Sequence, residues 1–181
     1  MTLKQAAIEN LRDAKGIFDS LGIPFWIDSG TLLGAYRDHD FCKGDEDDID
    51  IGTWTEFQTD EIIRRAQALG FRRLDSWKTQ FHLHRNGSLI DILFLSKNKG
   101  MAYSRGYRTY EDHVGYPFVV PVHFFEELTT IEFQGMTFKC PADIDGYLTY
   151  RFGNWRVPVG SADYRYYDPK CNRAVQPDWK P

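Results

Sequence analysis

The 181-residue chain lacks the features of a secreted or membrane-spanning protein. It has only three cysteines, and they share no CxxC spacing, so we expect no disulfide framework and a reducing compartment. No segment approaches the roughly 20 apolar residues of a membrane span, and the N-terminal residues lack the apolar core of a signal peptide. We therefore expect a cytoplasmic protein with no membrane insertion.

The chain also has no excess of positive charge. Lysine and arginine number 22 against 26 acidic residues, which gives a net charge of -4. Binding to nucleic acid through phosphate neutralisation requires a basic face, so we expect no nucleic-acid partner. A small anionic substrate remains compatible with this charge, because a local pocket or a metal ion overcomes a weak global field.

The patterning that is present indicates one mixed α/β domain. Apolar spacing predicts helices over residues 3–21, 31–37, 55–69 and 142–151, and strands over residues 24–27, 48–52, 71–75, 81–85, 88–95, 129–133 and 136–140. Residues 97–115 are predicted to be irregular. Because two hairpins interrupt the alternation of helices and strands, we expect a mixed β-sheet flanked by helices, of class α+β, over residues 1–158. Residues 159–181 are predicted to form an extension, either wrapped on the domain or loose.

The most informative segment is acidic, with five carboxylates within the six residues 45–50. In a strand over residues 48–52, Asp48 and Asp50 lie on one face while the isoleucines between them face the core. Two carboxylates on one rigid face are typical of a site for Mg²⁺ or Mn²⁺. The alternative is a solvated acidic loop.

A second segment, residues 28–34, places a small polar turn between a strand and a helix. Backbone N–H groups at such a turn favour an anion such as phosphate. Gly30 allows close approach to the backbone, and the hydroxyls of Ser29 and Thr31 can donate hydrogen bonds. An ordinary helix N-cap is the alternative interpretation.

A third segment, residues 89–95, is apolar except for Asp91. A carboxylate within a buried strand is costly without a metal ion or a charged partner. We therefore predict that Asp91 is either a site residue or one half of a salt bridge to a lysine or arginine. His82 and His84 alternate on a neighbouring strand, and we expect that strand face to lie near the site.

The order and spacing of these segments resemble the LicD/fukutin family of the nucleotidyltransferase superfold, over about residues 20–158. The matching motifs are SGTLLG at 29–34 followed by Arg37, DIDIG at 48–52, IDI at 90–92, and YL with YRFGNW at 147–155. One departure is that Gly44-Asp45 stands where the family often has Pro-Trp before the acidic strand. This departure concerns the local loop shape and the acceptor rather than the carboxylates.

The resemblance implies a metal-dependent phosphotransferase. Such an enzyme moves a phosphocholine-like or polyol-phosphate-like group from a nucleotide-diphosphate donor, CDP-linked in the family, to a carbohydrate or polyol hydroxyl. Two other hypotheses stay open. One is a nucleotidyltransferase that adds NMP to a small molecule or protein, and the other is a nucleotide-binding module without turnover.

The resemblance also implies roles for individual residues. Asp48 and Asp50 would hold Mg²⁺ or Mn²⁺. Asp91 would complete the metal site or take the acceptor's proton, and the metal role is favoured because a carboxylate beside Mg²⁺ is a weak base. Arg37 would either contact the donor phosphate or be a solvated charge at a helix end. The residues assigned to the nucleotide and its phosphate are Ser29, Gly30, Thr31 and Arg37.

Overall fold

The computed structural model describes residues 1–74, 80–104 and 118–158. The predicted extension over 159–181 lies outside these residues, as do the last residue of the strand predicted over 71–75 and most of the segment predicted to be irregular. The helices are α1 (Leu3–Leu21), α2 (Ser29–Leu33), α3 (Asp60–Ala68) and α4 (Ile144–Phe152). The strands are β1 (Trp26–Ile27), β2 (Asp48–Trp54), β3 (Arg72–Arg73), β4 (Gln80–Arg85), β5 (Ser88–Asn98), β6 (Met101–Ser104), β7 (Phe118–Pro121), β8 (Leu128–Phe133) and β9 (Met136–Pro141).

Among the described residues, one sheet carries β1 to β7, and the hairpin of β8 and β9 is separate from it. The order is β1-β2-β5-β4-β3, and the second half of β5 pairs with β6, which pairs with β7. Strands β2 and β5 are parallel, whereas their other neighbours in the sheet are antiparallel. The expected mixed sheet with flanking helices is therefore confirmed.

Helix α1 has the limits that its sequence predicts. Thr2 and Gln5 form a capping box at its N-terminus, and Gly22 ends it with a φ of 64°, in the left-handed region that suits glycine. Its buried face, which includes Leu11 and Phe18, packs against the sheet and α3. The helix thus covers one side of the strands that carry the acidic residues.

Three helices begin at other residues than the patterning predicts. The helix predicted over 55–69 begins at Asp60, since the Thr59 hydroxyl caps it by accepting from the Glu61 N–H at 3.3 Å, and residues 55–57 form a separate 3₁₀ turn. The helix predicted over 31–37 begins at Ser29 and continues into a π-helical turn, Gly34–Asp38. Helix α4 begins at Ile144 rather than at residue 142.

The prediction of irregular structure from residue 97 is wrong for the part that the structure describes. Strand β5 continues to Asn98, and Lys99 and Gly100 make a tight turn into β6 with φ values of 49° and 73°. Positive φ at both positions is typical of a hairpin turn. Lysine is uncommon at such a position, so the turn carries no strong sequence signal.

Within the described parts of the chain, no helix combines the length and apolar character needed to cross a membrane.

Gly52 lies on β2 against the side chain of Trp26, and this contact leaves no room for a side chain at position 52. A Cβ atom at Gly52 would lie 2.5 Å from Cε2 of Trp26, whose side chain is fully buried. We predict that Gly52→Ala lowers the free energy of unfolding by about 1–3 kcal/mol, because the indole ring has no space to move. Urea denaturation measures the change.

Gly16→Ala is the matched control, since a Cβ at Gly16 of α1 meets nothing within 4 Å. This variant should gain up to about 1 kcal/mol from helix propensity. If both variants are as stable as the wild-type protein, the contact between Gly52 and Trp26 does not constrain the fold.

Candidate active site

The parallel pairing of β2 with β5 brings the predicted carboxylates together. Asp50 is in register with Asp91, and Asp48 precedes Asp50 on the same face of β2. Ile49 and Ile51 are buried on the opposite face, as the alternation predicts. Since paired strands lie about 4.8 Å apart, the three carboxylates occupy one small patch of the sheet.

Helix α2 holds Asp50 from its side. The Gly30 N–H donates to Oδ2 of Asp50 at 2.9 Å, and the Thr31 hydroxyl oxygen accepts from the Asp50 N–H at 2.8 Å. A Cβ atom at Gly30 would lie 2.6 Å from Oδ2 of Asp45. The groups that approach the Gly30 backbone closely in this structure are thus the chain's own carboxylates.

The turn over residues 28–30, where α2 begins, is built around Asp28, whose exposed fraction is 1%. Its Oδ1 accepts hydrogen bonds from the Ser29 N–H at 2.7 Å and from the Tyr147 hydroxyl, and its Oδ2 accepts from Trp26 Nε1 at 3.3 Å. Sequence reasoning missed Asp28 as a site residue. An aspartate directly before a Ser-Gly turn was the available signal, because aspartate is a preferred N-cap.

Helix α4 contributes a cation to this turn that sequence reasoning also missed. Arg151 donates from Nη2 to the Ser29 hydroxyl oxygen at 2.8 Å, and Ser29 itself has a φ of 43°. The guanidinium of Arg151 lies over the ring of Phe118 at 4.3 Å and is 5.4 Å from that of Phe152. With 7% exposed, Arg151 is a buried cation beside the predicted phosphate turn.

Arg37 contacts the protein itself in this structure. Its guanidinium forms a double hydrogen bond with Asp38, at 2.8 and 2.7 Å, and donates to the Trp155 carbonyl at 3.1 Å. These bonds tie the π-helical turn to the segment that follows α4. The assignment of Arg37 to the donor phosphate stays a prediction.

The partners of Asp91 lie on β4. Gln80 donates its side-chain amide to Oδ2 of Asp91, and Nε2 of His82 lies 3.3 Å from Oδ1. His82 is in register with Asp91 across the two strands. Within the described part of the chain, the side chains beside the Asp91 carboxylate are thus a glutamine amide and an imidazole, and not the lysine or arginine of the salt-bridge interpretation.

Burial and the repulsion of neighbouring carboxylates raise the pKa of Asp50 well above its ordinary value. Burial is the largest cause, followed by the negative charges of Asp48, Asp91, Asp45 and Asp28. Burial, followed by its acidic neighbours Asp47 and Glu46, also raises the pKa of Asp45. The patch thus concentrates negative charge that a cation would offset.

This patch fits a divalent cation in donor type and charge. Carboxylate oxygens are the ligands that Mg²⁺ and Mn²⁺ take, and Asp48, Asp50 and Asp91 share one face. Among residues 1–74, 80–104 and 118–158, no three side chains of His, Cys, Asp or Glu are already gathered into a metal-binding group. A bound cation would therefore have to draw these carboxylates closer together.

Residues 22–143 match the family model described as "LicD/FKTN/FKRP, nucleotidyltransferase domain". The match includes β1, β2 and β5, with the turn and the carboxylates described above. This chain belongs to the LicD/FKTN/FKRP family.

Relatives of this LicD-family chain include ribitol-5-phosphate transferase FKTN of Macaca fascicularis, 27% identical over 98% of the chain and 38% of the relative. Ribitol 5-phosphate transferase FKRP of Homo sapiens is 26% identical over 82% of the chain and 31% of the relative. The chain thus spans about two fifths of the length of FKTN and less of FKRP. The named relatives are transferases.

The fold of the LicD-family chain is similar to that of the lincosamide antibiotic adenylyltransferase LnuA. The TM-score is 0.53 at 16% identity, over 87% of this chain and 91% of LnuA. At this identity the likeness concerns the fold alone, and it confirms the expected nucleotidyltransferase-like architecture.

The raised pKa of Asp50 gives the LicD-family chain a defined pH dependence. The folded state holds the Asp50 proton more tightly than the unfolded chain does, so this contribution to stability is full below pH 3.8, the ordinary carboxyl pKa. It is lost as the pH rises through the raised pKa. We predict that Asp50→Asn, which carries no titrating carboxyl group, loses less stability than wild type between pH 4 and pH 8 in EDTA.

Urea denaturation at each pH measures this difference. Asp19→Asn is the control, because Asp19 is an exposed carboxylate on α1 whose ion pair with Lys15 lies at the surface. If the free energies of unfolding of Asp50→Asn and of the wild-type protein change equally with pH, the raised pKa of Asp50 is contradicted.

Proposed function

We propose that this LicD-family domain transfers a phospho-alcohol group, of the ribitol-phosphate or phosphocholine kind, from a nucleotide-diphosphate donor to a carbohydrate or polyol hydroxyl. The observation that carries the proposal is the register of Asp50 with Asp91, beside Asp48 and against the Ser29–Gly30 turn. The ribitol-phosphate transferase names of the relatives support the transferred group. A CDP-linked donor and a cytoplasmic location are parts of the same proposal.

The reaction forms a phosphate ester bond and breaks the phosphoanhydride bond of the donor. The acceptor hydroxyl oxygen bonds to the phosphorus that carries the alcohol, and the bond from that phosphorus to the bridging oxygen breaks. The products are a phosphodiester and a nucleoside monophosphate that leaves with the bridging oxygen. The hydroxyl proton passes to solvent or to a nearby base.

Asp48, Asp50 and Asp91 would hold Mg²⁺ or Mn²⁺, which neutralises the charge of the donor diphosphate when bound. The chain's own contacts fix two of these carboxylates before any ligand arrives. Gly30 orients Asp50 through its backbone N–H, while the side chains on β4 orient Asp91. Rigid support of this kind keeps reactive groups within a narrow range of geometry.

Turnover is tested with CDP-ribitol, CDP-choline and CDP-glycerol, each with Mg²⁺ or Mn²⁺ and a panel of polyol and glycan acceptors. We predict release of CMP in the wild-type protein and loss of at least about 100-fold in Asp48→Asn and Asp50→Asn, because an amide is a poor ligand for a hard cation. Asp19→Asn is the control, since Asp19 lies on α1 and pairs with Lys15. Chromatography of the nucleotides measures the release.

The mass of the modified acceptor separates the candidate reactions. Addition of a phospho-alcohol supports the proposal, whereas addition of NMP from a nucleoside triphosphate would assign the nucleotidyltransferase activity instead. Binding of a nucleotide without either product across the panel would indicate a binding module.

Asp91 gives a further test, because its two interpretations predict opposite effects on stability. If it serves the metal site, Asp91→Asn should keep or raise the stability of the metal-free protein, since one repelling charge is removed from Asp50. Turnover should be lost. If its pair with His82 is structural, the same change should destabilise the protein and leave the specific activity of the folded fraction unchanged. Denaturant melts in EDTA and assays in Mg²⁺ distinguish the two.

A further inference from the structure

Helix α4 places two polar side chains, four residues apart, against Asp28 and Ser29 where α2 begins. Tyr147 donates its hydroxyl to Asp28, and Arg151 donates to the Ser29 hydroxyl oxygen at 2.8 Å. The spacing of four residues puts both side chains on one helix face. Residues of the C-terminal motif over 147–155 thus contact Asp28 and the first residue of the motif over 29–34.

The groups that contact this turn include charges of both signs. The Gly30 N–H donates to Asp50 of the acidic patch. The guanidinium of Arg151 donates to the hydroxyl oxygen of the adjacent Ser29. A group that carries negative charge and also binds a metal ion, such as a diphosphate, fits between carboxylates that hold the cation and a guanidinium that contacts phosphate oxygens.

The surroundings of Arg151 fix the plane of its guanidinium. The ring of Phe118 lies 4.3 Å from Cζ, and the side chain is 7% exposed. Stacking of this kind orients the donors of arginine, which suits recognition of a planar or tetrahedral anion. Because the Ser29 oxygen accepts from Arg151, the hydroxyl hydrogen of Ser29 points away from the guanidinium and can donate to a second acceptor.

We propose that Arg151 binds a phosphate oxygen of the nucleotide-diphosphate donor, beside the Ser29 hydroxyl, as the positive side of the site. This inference rests on the proposed function, since it assigns a phosphate contact within the same site. It adds a cation from α4 to a site whose other residues come from α2, β2 and β5.

The test uses CDP and inorganic pyrophosphate, each with Mg²⁺, as probes in isothermal titration calorimetry. Arg151→Met removes both the charge and the donor, and we expect it to weaken the binding of both probes by about 10- to 100-fold, the range for a hydrogen bond to a charged group. Arg151→Gln retains a donor for Ser29 without the charge, and it should weaken binding similarly. Arg151→Lys retains the charge and should recover part of the affinity.

If Arg151 has a merely structural role, the variants should rank differently in probe affinity. If Arg151 only supports Ser29, Arg151→Gln should bind as wild type does, and the inference is overturned. The dependence of affinity on ionic strength gives a second readout, because a lost charge contact makes that dependence shallower. Arg151→Gln also keeps the test valid if Arg151→Met does not fold.

Arg85→Met is the matched control. Arg85 is a partly buried arginine that also lies over an aromatic ring, that of Phe71 at 4.2 Å, but its ion pair is with Asp13 on α1. This variant should lose stability and retain probe affinity in the folded protein. If wild type binds neither probe, the proposed function fails together with the inference, whereas equal binding by wild type and Arg151→Gln overturns the inference alone.

Discussion

The parallel pairing of β2 with β5 is the contact on which the site depends. Residues 55–87 separate these strands in the chain, yet their register places Asp50 directly beside Asp91. The isoleucines that alternate with the carboxylates are fully or almost fully buried and hold this register, because a slip by one residue would turn them toward the site. Hydrophobic burial on one face thus fixes the charges on the other.

The cost of this arrangement is electrostatic. Burial raises the pKa of Asp50, and the repulsion of several nearby carboxylates raises it further. The protein offsets part of this cost with directed hydrogen bonds, from the Gly30 N–H to Asp50 and from Gln80 to Asp91. We propose that a cation offsets the remaining repulsion, since perturbed carboxylates of this kind are concentrated at functional sites.

The second consequence of the fold is that α4 contacts the turn at which α2 begins. Tyr147 and Arg151 contact Asp28 and Ser29, although more than 100 residues separate them in the chain. Asp28 is the centre of this contact, because it caps α2 and also accepts from Trp26 of β1. One buried carboxylate therefore joins the first strand, the turn and the last helix of the described chain.

The sequence alone determined the elements whose signals are local. The limits of α1 follow from a capping box and Gly22, and the shared face of Asp48 and Asp50 follows from the period of a strand. The hairpin of β4 and β5 follows from Asn86-Gly87, a dipeptide typical of such turns, whose φ values are 55° and 85°. The motifs in their order also indicated the family that the family model confirmed.

Only the tertiary structure decided the contacts between distant segments. The histidine partner of Asp91 depends on the register of β4 against β5, and the placement of Arg151 at Ser29 depends on how α4 packs. Neither contact has a signal in the local sequence, because each joins side chains of different secondary-structure elements. Periodicity shows which face of an element is buried, but packing of the whole chain determines which residue lies opposite it.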